Sequence, residues 1–340
     1  MNDRYTSLSP TPILSPNLAS LASETPNPRT VNIDTCSTLD ICKVINEQDT
    51  KVALAVSDVV PKVAEVIDAI AERIMDGGRL LYMGAGTSGR IGLLDASSLP
   101  TTFSADPNQF IALIAGGDQS LRRLHPNEGV EDSREAGVAD LEALLPYPQD
   151  TLIGITASGR TPYVLGALAR AKRLGLLTIG LVTTRPSAVL CEGSCEFVID
   201  PAVGPEVIAG STRMKAGTAT KMILNMISTG IHIKLGHTYG NLMIDIQASN
   251  TKLVQRARRI IRSISSEFTL PPTYAGIMTD DEQLDVVVRR CNGSVKLALV
   301  VIVSGWGVDL CRDALERRKG FLKAVLEDVR YETVVRVFKN

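Results

Sequence analysis

From about residue 78 to residue 201, short apolar runs alternate with helix-length segments, and that alternation limits the folds open to the chain. RLLYMG (79–84), FIALIAGG (110–117), TLIGIT (151–156), LLTIGLVTT (176–184) and CEFVIDP (195–201) read as buried strands. IGLLDASS, a stretch within 131–145 and TPYVLGALARAKRLG carry the helical spacing between them. Strands separated by helices cannot close as hairpins. They build right-handed parallel βαβ units with helices on both faces of one sheet, an α/β architecture.

The flanks read differently. Residues 1–28 are rich in Ser, Thr and Pro and carry no hydrophobic period, which predicts a disordered tail. Ser37 is placed to cap a helix through TLDICKVIN, and a second helix is expected from about Asp49 to Met75, with Pro61 near a start or a kink. Beyond residue 210 no strand is expected before the extreme C-terminus; MKAGTATKMILNMISTGIHIKLG and IDIQASNTKLVQRARRIIRSI read as long helices, followed by three or four shorter ones between 280 and 328. The expected organisation is a tail (1–28), an α/β domain with N-terminal helices (29–265) and a helical C-terminal region (266–340).

Composition excludes several functions. Thirty-six Lys and Arg stand against 37 Asp and Glu, a net charge of -1, and aromatics are 4% with one Trp. A nucleic-acid binder needs a basic footprint and stacking platforms, so that class is disfavoured. The longest apolar run, Leu297 to Val303, is far short of the ~20 residues of a membrane span. No basic segment followed by an apolar core opens the chain, so no secretory signal is expected. The six cysteines form no CxxC, and His125, His232 and His237 complete no ligand spacing; no metal site is expected, and reduced cysteines place the chain in the cytoplasm.

Four loops could carry chemistry. Gly84-Ala85-Gly86-Thr87-Ser88-Gly89-Arg90 joins a strand to a helix, where glycines allow close backbone approach and the helix start offers unpaired N–H groups to an anion. It also satisfies GxGxxG, but a dinucleotide site has one such turn and an acidic residue ~20 positions on. Here Asp118 stands further along, and a second turn, Ala157-Ser158-Gly159-Arg160-Thr161-Pro162, repeats the design. Two hydroxyl-rich turns suit one small phosphorylated ligand. The third segment, from Val203-Gly204-Pro205-Glu206 to Gly210-Ser211-Thr212-Arg213-Met214-Lys215, precedes another helix. The fourth, Asn127-Glu128-Gly129-Val130-Glu131-Asp132-Ser133, is either a helix start whose carboxylates favour the dipole or the home of a general base.

LLYMGAGTSGR, IAGGD, NEGVEDSREAG, ITASGRTPYVLGAL, VGPEVIAGSTRMKAGTATKMILNM and STG…GNLMID, in this order, resemble the N-acetylmuramic acid 6-phosphate etherases of the sugar isomerase (SIS) fold group. NPRTVNIDTCSTLDICKVIN and the run from CNGSVKLALV to KGFLKAVLEDV extend the likeness over roughly residues 25 to 328. The resemblance implies a SIS-type three-layer sandwich, a parallel sheet flanked by helices, with a small all-helical C-terminal region. It implies a lyase that splits the lactyl ether of a sugar 6-phosphate with water, without metal or nucleotide cofactor, and a homodimer with sites near the subunit interface.

Matched position by position, Glu131 takes the place of the family's base. Thr87, Ser88, Ser158 and Thr161 fall on phosphate-loop positions, with Gly86, Gly159 and Arg160 beside them. Glu128, Glu206, Thr212, Arg213 and Lys215 are expected near the sugar. Two departures stand out. In Asp95-Ala96-Ser97-Ser98, Ser98 occupies the place of the glutamate that protonates the departing lactate oxygen, and a hydroxyl is a poor general acid. The link before Glu128, through LHPNE, is two residues longer than is common in the family. Ser98 therefore motivates an alternative: a sugar-phosphate-binding regulator, resembling the glucokinase regulatory protein, with a kinase as its partner.

Overall fold

The computed structural model describes residues 22–122, 129–246 and 251–339. The expected tail up to residue 21, Glu128 and the LHPNE link lie outside the described residues. Five strands, β1 (Leu80–Gly84), β2 (Phe110–Ile114), β3 (Thr151–Ile155), β4 (Leu177–Leu181) and β5 (Phe197–Ile199), form one parallel sheet in the order β2-β1-β3-β4-β5. The chain steps from β1 outward to β2 and then returns past β1 to β3. That reversal is a topological switch point, and it opens a crevice beyond the carboxyl ends of β1 and β3.

Around the sheet run α1 (Thr38–Ser57), α2 (Val60–Met75), α3 (Gly86–Phe103), α4 (Gly117–Arg122), α5 (Arg134–Ala143), α6 (Pro162–Arg173), α7 (Ala188–Cys191) and α8 (Lys215–Lys234). Side chains of β1 alternate between the two faces. Leu80 and Tyr82 join the core under α2, α3 and α8, whereas Leu81 and Met83 join the core under α5 and α6. The result is the three-layer α/β sandwich with a parallel sheet.

Three local differences from the sequence reading have physical causes. The helix break falls at Asp58 and Val59, not near residue 48, because Pro61 has no N–H to donate and is tolerated in the first turn of α2. Residues 22–28, read as part of a disordered tail, are packed. Ser23 and Asn27 are buried, and Asn27 Nδ2 donates to Gln48 Oε1 at 3.0 Å and to the Pro205 carbonyl at 3.2 Å. Specific polar contacts hold this segment, and no hydrophobic period would reveal them. Finally, a short antiparallel pair, β6 (Thr238–Tyr239) and β7 (Leu242–Met243), follows α8.

The C-terminal region comprises α9 (Thr251–Ser265), α10 (Pro272–Ala275), α11 (Asp281–Arg290), α12 (Val295–Ser304), α13 (Val308–Arg317) and α14 (Leu322–Lys339). Its own core takes in Ala257, Ile260, Ile261 and Ile264 of α9 as well as Ile244 and Ile246, so the helical unit begins to pack before residue 266. Asp245 ties it to the sandwich. Its carboxylate pairs with His237 at 2.8 Å and with Lys296 of α12, and its carbonyl accepts from Ser104 Oγ at 2.6 Å.

Candidate functional site

Gly84 and Ile155 are register partners across β1 and β3, so the turns leaving these strands stand side by side at the switch point. Between them lies a cavity of about 410 Å³. Gly86, Thr87 and Ser88 line it from the start of α3, and Ser158, Arg160, Thr161 and Pro162 from the start of α6. Glu131 and Asp132 face it ahead of α5, while Gly210, Thr212, Gly217 and Thr220 close the side at α8.

The helix starts differ in what they can offer a ligand. Ala85 caps α3 without a side-chain acceptor, and Thr161 makes no capping bond to α6 because its hydroxyl pairs with Thr156 Oγ1 at 2.8 Å. The first turn of α3 therefore turns its N–H groups and positive dipole end to the cavity, whereas at α6 Pro162 has no N–H and Tyr163 N donates to the Glu131 carbonyl, so that side offers its dipole end and the Ser158 and Thr161 hydroxyls. At α8 the donors are already used. Glu206 Oε2 accepts from Lys215 N at 3.0 Å and Glu206 Oε1 from Ala216 N at 2.9 Å. An anion is therefore best held at the start of α3, facing the hydroxyl-bearing turn before α6, and not at α8.

The backbone of the turn that carries Glu131 is held by the same framework. The Glu131 carbonyl accepts from Tyr163 N at 3.1 Å, which pins the 129–133 turn against α6, and Ser133 Oγ caps α5 through Ala136 N at 3.1 Å. Gly159 does not line the cavity; it shapes the turn behind it. Its φ is +66°, and a Cβ there would lie 2.2 Å from Ser187 Cβ, so only glycine fits.

Three residues expected to touch substrate are placed elsewhere. Glu206 is buried as the α8 cap. Lys215 is buried, with Nζ donating to the Val203 carbonyl at 2.8 Å, and burial pulls its pKa below the usual lysine value. Arg213 is exposed and is not among the residues that line the cavity. Arg90, the last residue of the first loop, turns away to the Ser120 carbonyl.

The family description "glucokinase regulatory protein N-terminal SIS domain" matches residues 62–172. A solved phosphoheptose isomerase from Francisella tularensis aligns at a TM-score of 0.45 and 18% identity, over 58% of this chain and 100% of that chain. An N-acetylmuramic acid 6-phosphate etherase of Photorhabdus laumondii is 44% identical over 92% of this chain and 99% of its own length. The enzyme of that name from Caldanaerobacter subterraneus is 47% identical over 91% of this chain and 96% of its own. The chain belongs to the N-acetylmuramic acid 6-phosphate etherase family.

In this etherase-family chain Ser98 lies about 18 Å along α3 from Gly86, at ~1.5 Å per residue, and outside the cavity lining. It is exposed, its hydroxyl donates to the Asp95 carbonyl at 2.7 Å, and it shares a helix face with Leu94, which is 56% exposed. Asp95 does not share that face. It is buried between α3 and α8, accepting from Tyr82 Oη and Ser228 Oγ, each at 3.1 Å, and burial raises its pKa. The cavity also holds a second carboxylate, from outside the four loops. Glu24 lines the cavity from a segment that reads as tail, because no periodic signal marks it.

Proposed function

We propose that this chain is an etherase that cleaves the lactyl ether of N-acetylmuramic acid 6-phosphate, giving N-acetylglucosamine 6-phosphate and D-lactate. The observation that carries the reading is the presence, in one cavity, of Glu131, the uncapped start of α3 and the turn before α6, with Thr87, Ser88, Ser158 and Thr161 beside them. The phosphate sits over the start of α3, facing that turn. The sugar extends toward Glu131.

The chemistry follows from the open-chain aldehyde, which makes the C2 proton removable. Glu131 takes that proton, the C2–C3 double bond forms, and the C3–O bond breaks. The lactyl oxygen takes a proton and leaves as lactate. Water then adds its hydroxyl to C3 while C2 regains a proton, so one water is consumed. Every step is a proton transfer, an elimination or an addition, which side chains and water can carry. With Ser98 at the acid position, solvent supplies the proton to lactate, and the rate falls by ~10²–10⁴ relative to a well-placed acid.

Free cysteines support a reducing, cytoplasmic setting. A homodimer pairing over the exposed Leu94–Ser98 face of α3 is the arrangement in which position 98 can reach a partner's cavity. The direct test is D-lactate release from N-acetylmuramic acid 6-phosphate by the purified chain. Release no faster than that of Glu131→Gln rejects the etherase reading.

A further inference from the structure

Glu24 reaches the cavity on a strap that polar residues lace to the segment before α8. The Ser23 carbonyl accepts from Gly210 N at 2.8 Å. Asn27 Nδ2 donates to Gln48 and to the Pro205 carbonyl, and Thr30 Oγ1 donates to the Val207 carbonyl at 2.8 Å. Ser23, Asn27 and Thr30 are buried, while Glu24, between the first two, is exposed to the cavity. Ordering such a segment costs backbone entropy. Glu24 is the one strap side chain among the residues that line the cavity.

Gly210 fits this placement. Its φ is +79°, and a Cβ there would lie 3.1 Å from Glu24 Oε2, so a side chain would press on the carboxylate as well as strain the turn. Glu24 cannot serve the phosphate, because two anions in contact repel. What remains within reach is the neutral end of the ligand, whose hydroxyls and amide N–H are donors that a carboxylate accepts strongly.

Building on the sugar-phosphate reading above, we propose that Glu24 is a specificity-determining residue that accepts hydrogen bonds from the hydroxyl or acetamido N–H groups of the sugar, on the side of the cavity away from the phosphate. The strap makes residues 22–30 part of the substrate site. A single hydrogen bond to a charged acceptor of this kind corresponds to about ten- to hundredfold in affinity.

The experiment uses the full chain and its Glu24→Ala and Glu24→Gln variants. Calorimetry measures binding of N-acetylglucosamine 6-phosphate and of inorganic phosphate, with the Tm of each ligand-free protein recorded. The expected result is a loss of about ten- to hundredfold for the sugar phosphate in Glu24→Ala and a smaller loss in Glu24→Gln, which keeps an acceptor. Inorganic phosphate should bind unchanged or slightly tighter, with the ligand-free Tm within about a degree of the parent. Equal losses for both ligands, or no loss for the sugar phosphate, overturn the assignment of Glu24 while leaving the sugar-phosphate reading intact. Failure of the parent protein to bind the sugar phosphate overturns both.

Discussion

The Glu206 carboxylate accepts the backbone N–H of Lys215 at 3.0 Å while the Lys215 ammonium reaches back to the Val203 carbonyl, so the two residues lock the start of α8 from both directions. A pair that resembles substrate-binding chemistry in sequence is a buried helix cap. Glu206→Ala strips two buried N–H groups of their acceptor. It is expected to cost about 2 kcal/mol, the upper end for a lost cap. Urea unfolding measures this, and an unchanged midpoint would contradict the capping role.

Glu131 makes the opposite prediction. Its substitution by Gln keeps the shape of the turn pinned by Tyr163 and removes the carboxylate proposed to accept the C2 proton. Lactate release should drop by ~10²–10⁴, with N-acetylglucosamine 6-phosphate affinity kept within a few-fold. A parallel loss of affinity and turnover would instead assign Glu131 to binding.

Position 98 offers a gain of function. Ser98→Glu places a carboxyl on the exposed face of α3, over which the homodimer is proposed to pair. Lactate release from N-acetylmuramic acid 6-phosphate is expected to rise at least tenfold, within the ~10²–10⁴ span of general-acid catalysis. No gain in a protein that is dimeric by light scattering would show that this position addresses no lactyl oxygen in either copy.

His232 predicts an acid-labile fold. Its ring stacks on Phe103 and Phe110 at centroid distances of 4.3 and 4.9 Å, and its Nδ1–H donates to the Ser228 carbonyl at 2.7 Å. Burial, the largest cause, lowers its pKa from 6.5 to about 4. Between these values the unfolded chain binds the extra proton and the native one does not, so stability is full above pH 6.5 and declines as pH falls toward 4. The decline attributable to this ring reaches about 3 kcal/mol. Unfolding midpoints from pH 7 to pH 4.5 should show the slope, and His232→Phe should flatten it.

Much of the fold is legible in the chain because its signals are local. The five strands fall where the apolar runs lie, Pro162 sits in the first turn of α6, and Ser37 caps α1. The helix break before Pro61 is not legible, because the apolar spacing runs on through residues whose backbone pairing proline interrupts. The cavity turns were legible too, since Thr87, Ser88, Ser158 and Thr161 are carried by motif-bearing loops. Ser98 could not be placed from its motif. Helix rise carries it away from the loop it follows in sequence.

By itself, then, the sequence determined the βαβ alternation, the two hydroxyl-rich turns and the single carboxylate turn at Glu131, because each is a pattern among near neighbours. Tertiary structure decided which of the remaining polar residues face the cavity. Glu206 and Lys215 are drawn inward to satisfy α8, Asp95 is buried between α3 and α8, and Glu24 is carried in from a segment with no periodic pattern. Those outcomes depend on which buried N–H and carbonyl groups need partners once distant segments pack, a requirement that no stretch of sequence states locally.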